Sequence, residues 1–246
     1  MSNATPSPLR LYQQVAGRIE GLIRKGEVAT GQRLPPERDL ATRFKVSRPV
    51  VREALVALEL SGAIEVRTGS GAYVKPVSAD PASNGRLKIE TGPSAFELIN
   101  VRKLLEPAVA AQAALRRSEK DLASIAQALR LFERRSRGTH WEKLEADRVF
   151  HLAIAQAAQN ERALAIVESL WADMFGPIFA VLSERTGIAD KKRITMTDHR
   201  TILFCIKNRD AVGADAAMHA HLVHAEMKLL ESDSLGALGR RVKPAG

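Results

Sequence analysis

The fold of the N-terminal region is decided by three stretches, LPPERDLA (34–41), VSRPVVREAL (46–55) and GSGAYV (69–74). The first predicts a helix from about Pro35, because proline and acidic side chains are both favoured in a first turn. The second predicts another helix after Ser47, a residue type that caps helices well, and Gly62 ends it. The third supplies the glycine-rich turn and second strand of a short hairpin.

The residues on either side of these stretches complete a recognisable motif. Apolar side chains recur at helical spacing between Leu11 and Ile23, and Gly26 ends that helix. A short β run at 63–67 provides the first strand of the hairpin. Helix, helix, tight turn, helix and hairpin is the order of a winged helix-turn-helix, whose last helix fits the major groove of DNA.

Seven residues of this motif are candidates for DNA contacts. Arg48 can bind guanine through two hydrogen bonds, and Arg52, one turn later, can reach a base or a phosphate. Glycine at the wing tip lets the backbone approach a phosphate, and Arg67 and Lys75 should make binding salt-dependent. Surface arginines are usually only solvated, but these fall on elements that would face one groove, which favours DNA binding. The predicted contacts are Arg38, Ser47, Arg48, Pro49, Val51, Arg52 and Gly69.

Composition and charge favour a cytoplasmic protein with a polyanionic partner. The 246 residues carry a net charge of +9, and the first 78 hold 12 basic against seven acidic side chains. The single cysteine, Cys205, excludes a disulfide framework and a four-cysteine zinc site. No stretch reaches the roughly 18 uncharged apolar residues of a membrane span. The polar N-terminus is not that of a secretory signal, so we expect no membrane partner.

The rest of the chain is predicted to be helical almost throughout. Residues 77–93 are rich in serine, proline, glycine and asparagine, which predicts a linker between a DNA-binding domain at 9–76 and a second domain at 94–231. Six antiparallel helices, or seven if Pro177 divides the fourth, indicate a bundle in that second domain. Residues 232–246 are expected to be a disordered tail. The predicted fold is therefore mainly α-helical, a winged helix-turn-helix followed by an antiparallel bundle.

Four side chains of the bundle have the chemistry of a metal site. Asp147 and His151 are four residues apart on one helix and share a face, while His199 and His221 lie on the last two helices. Three imidazoles and a carboxylate are a sufficient ligand set for zinc, nickel, manganese or another divalent ion. On spacing alone, alternatives stay open. A single helical histidine is often only packed or exposed, and Asp147 with His151 can form an exposed hydrogen-bonded pair.

The three N-terminal stretches resemble the GntR family of bacterial transcriptional regulators, over about residues 9–76. The resemblance implies that Arg38, Arg48 and Arg52 read the operator and that Gly69 sits at the wing contact. One residue departs from the family pattern, because Lys45 stands where glycine is usual in the turn between two helices. If that position requires a positive φ, lysine costs about 1 kcal/mol of local strain.

Residues 94–231 resemble the FCD ligand-binding domain of the FadR subfamily through ADRVFHLAI (146–154), DHRTI (198–202) and the segment that leads from Asp210 to His221. The resemblance implies a divalent metal, zinc first with nickel or manganese as alternatives. The implied ligands are Asp147, His151, His199 and His221. The segment NVRKLLE (100–106) resembles the helix whose arginine faces the pocket, so Arg102 is the candidate effector contact. The alternative for Arg102 is a salt bridge on the bundle surface.

Together these features predict a metabolite-responsive transcriptional regulator, most often a repressor in this family, that binds an inverted-repeat operator in double-stranded DNA as a homodimer. A small organic acid is expected to bind in the bundle, on the metal and on Arg102. Two alternatives stay open: a metal-dependent enzyme with a basic N-terminal domain, and a regulator whose metal is purely structural. The chain has no His-Glu-x-x-His motif and no obvious general base, which speaks against the enzyme.

Overall fold

In a computed structural model of the chain, the described residues are 10–67, 70–76, 91–188 and 192–230, without the side chains of residues 192 and 193. They form two compact units, which divide between Ser94 and Ala95. Gly69, most of the predicted linker and the predicted tail at 232–246 lie outside the described residues.

The N-terminal unit has the predicted winged helix-turn-helix fold. Its elements in chain order are α1 (Leu11–Arg24), α2 (Glu37–Phe44), α3 (Arg48–Leu60), β1 (Ile64–Arg67) and β2 (Gly71–Val74). The apolar faces of the three helices meet in one core, where Val15 and Ile19 of α1 pack with Leu40 of α2 and Leu55 of α3. Each such buried side chain contributes roughly 1.5–3 kcal/mol relative to exposure, so this core holds α3 in place.

The wing is an antiparallel hairpin of two strands with one isolated bridge beside it. Ile64 of β1 lies opposite Val74 of β2, and both side chains are buried in the core. The backbone of Arg33 adds a bridge to Tyr73 on the other edge of β2. Gly71 has a φ of +115°, and a Cβ atom there would lie 2.5 Å from Nε of Arg33. Glycine at this position therefore lets the arginine side chain lie across the wing.

The turn between α2 and α3 contains a residue with a positive φ, Lys45, at the position where the family usually has glycine. Lys45 follows α2 with φ 56° and ψ 46°, the left-handed region that glycine adopts without steric cost. Its backbone N–H donates to the carbonyl oxygen of Thr42 at 3.3 Å and so closes the end of α2. The positive φ at Lys45 is thus confirmed, and a side chain there carries strain.

Lys45→Gly should raise the free energy of unfolding by about 1 kcal/mol, because glycine has no Cβ to clash in the left-handed region. The matched control is Lys45→Ala, which removes the charge but keeps Cβ and should change stability by less than about 0.5 kcal/mol. Urea denaturation of both variants measures the difference. A glycine variant no more stable than the alanine variant would show that the turn is unstrained.

The last residues of the predicted linker belong to the N-terminal unit. Tyr12 of α1 donates a hydrogen bond to the carbonyl oxygen of Gly92 at 2.7 Å and forms a second one with the hydroxyl of Thr91. Ser94 donates to Oε1 of Glu53 on α3 at 2.8 Å, and both side chains are buried. The chain just before the second unit is therefore hydrogen-bonded to α1 and α3.

The second unit is a helical domain whose described part contains seven helices. In chain order they are α4 (Ala95–Arg116), α5 (Glu119–Arg135), α6 (His140–Ala157), α7 (Glu161–Asp173), α8 (Pro177–Thr186), α9 (Lys192–Lys207) and α10 (Ala211–Leu230). α10 packs mainly against α4 and α9, and α5 packs against α6. Ser118 and Thr139 begin α5 and α6 with reciprocal capping boxes, which satisfy backbone N–H groups at both starts.

Pro177 divides the predicted fourth helix into α7 and α8, which confirms the seven-helix alternative. A proline has no N–H to donate and suits the first turn of a new helix, so α8 begins at that residue. No single helix in the described ranges is long and apolar enough to cross a membrane, and α7 with α8 meets that test only as a pair bent by 72°.

Candidate metal centre and nucleic-acid interface

Four of the predicted DNA contacts lie at the accessible starts of α2 and α3. The Arg38 side chain is 84% exposed and pairs only loosely with its neighbour Asp39, at 3.3 Å. Ser47, the N-cap of α3, and Arg48, its first residue, are both exposed, and Pro49 is half-buried. The first turn of α3 can therefore enter a groove, with Arg38 one element away.

Two of the predicted DNA contacts have buried side chains in the structure. Val51 is fully buried in the core of the N-terminal unit. Arg52 is also buried, and its guanidinium forms an ion pair with Glu37 of α2, Nη2 to Oε2 at 3.2 Å. Both side chains therefore face inward on α3, whereas Ser47 and Arg48 at its start are exposed. Gly69 lies outside the described residues.

The described part of the wing presents arginine and tyrosine side chains outward. The guanidinium of Arg67 lies 4.4 Å from the centre of the Tyr73 ring and pairs with Glu65 at 3.1 Å. Lys75 is exposed at the end of β2, as its predicted role in salt-dependent binding requires. Sequence reasoning missed Arg33, which precedes α2 and joins this surface only through the fold.

The four predicted metal ligands come together in the second unit. Asp147 and His151 face inward from α6, His199 from α9 and His221 from α10, and one ligand atom of each lies within 4.8 Å of all the others. Asp147 Oδ1 is 3.1 Å from His199 Nε2 and 3.7 Å from His151 Nε2. His151 Nε2 is 3.2 Å from His221 Nε2. The alternative of an exposed Asp147–His151 pair is therefore wrong.

Aromatic packing holds these imidazoles in place. The ring of His199 stacks on Phe150 of α6 at 4.3 Å between centroids and meets the edge of Phe132 of α5 at 4.6 Å. His151 and His221 are also buried, with ring centroids 5.2 Å apart. Because close packing limits rotation, the nitrogen atoms stay directed at one point.

The unsatisfied polar atoms of the cluster fit a bound cation. Asp147 Oδ1, both ring nitrogens of His199 and Nδ1 of His221 are buried and have no hydrogen-bond partner among the described residues. Such atoms are costly unless something satisfies them. Ligands about 2.0–2.1 Å from a zinc ion lie roughly 3.4 Å apart around a tetrahedron, which matches the 3.1, 3.2 and 3.7 Å separations.

The protonation states of the cluster also suit metal binding. Burial lowers the pKa of His151, His199 and His221 below that of a free imidazole, so the rings are neutral near pH 7. Burial alone would raise the pKa of Asp147, but the close approach of the His199 ring, together with His151 and His221, outweighs burial and lowers that pKa. Neutral imidazoles and an ionised carboxylate are the forms that bind cations.

A cavity beside the cluster brings Arg102 to the same place. It is lined by Arg102, Asp147 and His221 together with Phe132, Leu144 and Phe179. Arg102 is buried, donates from Nε to Glu106 Oε1 at 2.6 Å, and lies over the Trp171 ring at 4.1 Å. The alternative of a salt bridge on the bundle surface is therefore wrong for Arg102.

Two carboxylates that the sequence analysis missed support the histidines. Glu106 accepts a hydrogen bond from Nδ1 of His151. Burial alone would raise the pKa of Glu106, but the charge of Arg102 and the hydrogen bonds from Arg102 and His151 lower it to about 2. Asp198 accepts from His224 at 2.8 Å and lies 3.6 Å from Nδ1 of His221. The four-residue spacing of Arg102 and Glu106 was a visible signal, whereas Asp198 stood in the segment DHRTI (198–202) without a role of its own.

Comparisons with known proteins agree with both units. Residues 11–74 match the family model for bacterial regulatory proteins of the gntR family, and residues 97–224, more than half of the chain, match the FCD domain. The Uxu operon transcriptional regulator of Escherichia coli K12 is 36% identical, over 94% of this chain and 91% of that protein. The Exu regulon transcriptional regulator of the same strain is 34% identical, over 92% and 87%. The transcriptional repressor NanR of Cronobacter sakazakii is 30% identical, over 87% and 83%.

A winged helix-turn-helix followed by a helical FCD domain defines a transcriptional regulator that binds DNA. The matching families and relatives are regulators and not enzymes, which removes the alternative of a metal-dependent enzyme. The chain belongs to the GntR family, and its FCD domain gives it the architecture of the FadR subfamily.

Proposed function

We propose that the protein is a metabolite-responsive repressor, which binds an inverted-repeat operator as a homodimer and senses a small organic acid in a metal-containing bundle. The observation that carries this proposal is the convergence of Asp147, His151, His199 and His221 next to Arg102 in one cavity. The proposed domains are the DNA-binding domain at 9–76, the linker at 77–93 and the effector domain at 94–231. The name of the relative NanR supports repression as the sign of regulation.

Operator binding is assigned to the first turn of α3 and to the start of α2. Arg48 and Arg38 are exposed there, and an arginine fork can pair with both acceptors of a guanine. Ser47 and Pro49 flank Arg48 and are proposed to fix its approach through contacts with the backbone of DNA. Gly69 is kept as the proposed wing contact. Phosphate contacts through the wing arginines add affinity that falls with salt.

Acid sensing is assigned to the metal and to Arg102. A bound divalent ion supplies a Lewis acid that one carboxylate oxygen of the effector can coordinate. Arg102 presents a planar guanidinium to the same cavity and can pair with a carboxylate through two donors. Four protein ligands complete a tetrahedral zinc site, so direct coordination of an acid requires a five- or six-coordinate ion. A strictly four-coordinate metal would favour the structural-metal alternative.

The homodimer is supported by an exposed apolar seam on α4. Val101, Leu104 and Leu115 are exposed, and Leu104 is 81% exposed. With Ala108 and Ala111 they repeat at alternating spacings of three and four residues, the pattern by which helices pair with other helices. A second copy of α4 related by a twofold axis would present the same seam and cover it. Such a dimer gives two recognition helices, as an inverted repeat requires.

Leu104→Glu should weaken self-association at least about tenfold, because burying a carboxylate in an apolar seam costs more than 1.4 kcal/mol. Analytical ultracentrifugation over a range of protein concentrations measures the dissociation constant. The control is Val212→Glu on α10, an equally exposed apolar side chain outside the seam, which should leave the dimer intact. A Leu104→Glu protein that dimerises like the wild type would refute the assigned interface.

The proposed function is tested by a gel-shift titration with DNA from upstream of the protein's own gene. Metal-loaded protein should retain the duplex, and a matching small carboxylic acid should change its DNA affinity by about 5- to 150-fold, the usual size of allosteric coupling. The same acid should have no effect after the metal is removed with EDTA. An acid response that persists without metal would refute the metal-dependent part of the proposal. If the metal-loaded protein does not retain this duplex specifically, the proposal that it contains the operator is refuted.

A further inference from the structure

One buried carboxylate touches both parts of the proposed acid site. Glu106 lies on α4 one turn after Arg102 and is 2% exposed. Its Oε1 accepts a hydrogen bond from Arg102 Nε at 2.6 Å, and its Oε2 accepts one from His151 Nδ1. Both oxygens are therefore engaged, one by the arginine and the other by a candidate metal ligand.

The contact with Glu106 decides which nitrogen of His151 can bind a cation. An ionised carboxylate only accepts hydrogen bonds, so the proton of the neutral imidazole must sit on Nδ1. The lone pair is then on Nε2, the atom that lies 3.7 Å from Asp147 Oδ1 and 3.2 Å from His221 Nε2. A carboxylate in this position fixes the orientation of a metal-binding histidine and raises its basicity.

The other oxygen of Glu106 fixes Arg102 in the wall of the cavity. The guanidinium lies over the Trp171 ring at 4.1 Å, and Nη1 donates to the sulfur of Met174 at 3.1 Å. A thioether sulfur is a weak acceptor, so this nitrogen keeps most of its capacity for a carboxylate ligand. The other terminal nitrogen, Nη2, lies 3.4 Å from Nδ1 of His151. Glu106 thus compensates the buried charge of Arg102 through Nε and leaves Nη1 with only the weak thioether acceptor.

We infer that Glu106 is a positioning residue that couples the metal centre to Arg102, because the same carboxylate sets the tautomer of His151 and fixes the guanidinium of Arg102. This inference rests on the proposed function of the cavity as a metal-dependent acid site. Coupling between two binding sites is reciprocal. If an acid draws Arg102 away from Glu106 and so changes the affinity for the metal by some factor, the metal changes the affinity for the acid by the same factor.

Glu106→Gln tests the inference in the full-length protein with Zn²⁺ alone as the probe. Glutamine keeps the shape of the side chain, but its amide offers one acceptor and one donor, so it cannot accept from both Arg102 and His151. Competition with a chromophoric chelator should show a Zn²⁺ affinity reduced about 10- to 100-fold. The control is Glu97→Gln, an exposed carboxylate on the same helix, which should bind Zn²⁺ like the wild type. An unchanged affinity in folded Glu106→Gln would overturn the inference.

A second measurement uses the wild-type protein, so it holds even if Glu106→Gln fails to fold. Nitrogen-15 NMR of the imidazoles in the metal-free protein should show the proton of His151 on Nδ1, with the signal assigned by its absence from His151→Gln. A purely structural role for Glu106 predicts no particular tautomer, and a proton on Nε2 would overturn the inference. A wild-type protein that binds no Zn²⁺, Ni²⁺ or Mn²⁺ would instead refute the proposed metal function itself.

Discussion

Arg48→Ala should abolish operator-specific binding while the circular dichroism spectrum stays that of the wild type. Arg48 is exposed at the first position of α3, so alanine there disturbs no core packing. A bidentate arginine–guanine contact is worth about 1–3 kcal/mol, and a dimer loses two, so the affinity should fall roughly 10²- to 10⁴-fold. A gel shift at fixed salt, with excess nonspecific competitor DNA, measures the specific component.

The matched control for Arg48 is Arg24→Ala. Arg24 is an exposed arginine at the end of α1 in the same unit, so this variant removes the same charge away from the recognition helix. It should lose only the nonspecific electrostatic part of binding, which high salt also removes. Equal losses in the two variants would mean that Arg48 acts by charge alone and does not read the sequence.

His199→Gln should reduce the affinity for the divalent metal by more than about 100-fold, since even the hydrogen-bond partners of metal ligands are worth 10- to 100-fold. His199 is fully buried, and both of its ring nitrogens lack hydrogen-bond partners within the described ranges of the chain. At a metal concentration 100 times the wild-type dissociation constant, the wild type gains about 2.7 kcal/mol of stability and the variant little. The corresponding difference in melting temperature is roughly 5–10 °C.

The control for the metal prediction is His219→Gln on α10, which removes an exposed imidazole two residues from His221. Its melting temperature should rise with metal as in the wild type. Differential scanning calorimetry with and without Zn²⁺ compares the three proteins, and the metal-free scans report any loss of folding. Equal metal-induced stabilisation in His199→Gln and the wild type would show that the cation binds elsewhere.

Local signals in the sequence were enough to place most of the elements. The period of apolar residues and the capping residues act within a turn or two of the chain, so α3 begins directly after Ser47, as predicted. The break in the predicted fourth helix could likewise be placed at Pro177, because the effect of a proline on the backbone is local. The positive φ of Lys45 was anticipated through the family resemblance and not through any local pattern.

The orientation of single side chains on α3 could not be predicted in the same way. Arg48 and Arg52 are one turn apart and share a helix face, yet Arg48 is exposed and Arg52 is buried. The difference arises because Glu37 of α2 covers the second position and pairs with Arg52. That contact joins residues 15 positions apart, and helical spacing contains no information about it.

The metal centre was predicted by two different kinds of reasoning. The spacing of Asp147 and His151 places them on one face of α6, and ligand chemistry made His199 and His221 candidates, but only the resemblance to the FCD domain favoured all four as one site over the alternatives. Glu106 was missed as a partner of His151 because the two lie on different helices, although its spacing from Arg102 was visible. Contacts between side chains on different helices are set by helix packing, so the periodicity of the sequence could not predict them.

The four side chains Asp147, His151, His199 and His221 are proposed to hold a divalent cation beside Arg102. The most direct measurement is elemental analysis of untagged protein, followed by X-ray absorption spectroscopy of the bound metal. We predict close to one metal ion per chain, with imidazole nitrogens and a carboxylate oxygen in its coordination shell and a shell that changes when an effector acid is added. Protein that stays metal-free at saturating Zn²⁺, Ni²⁺ and Mn²⁺, or a metal without imidazole ligands, would contradict the account.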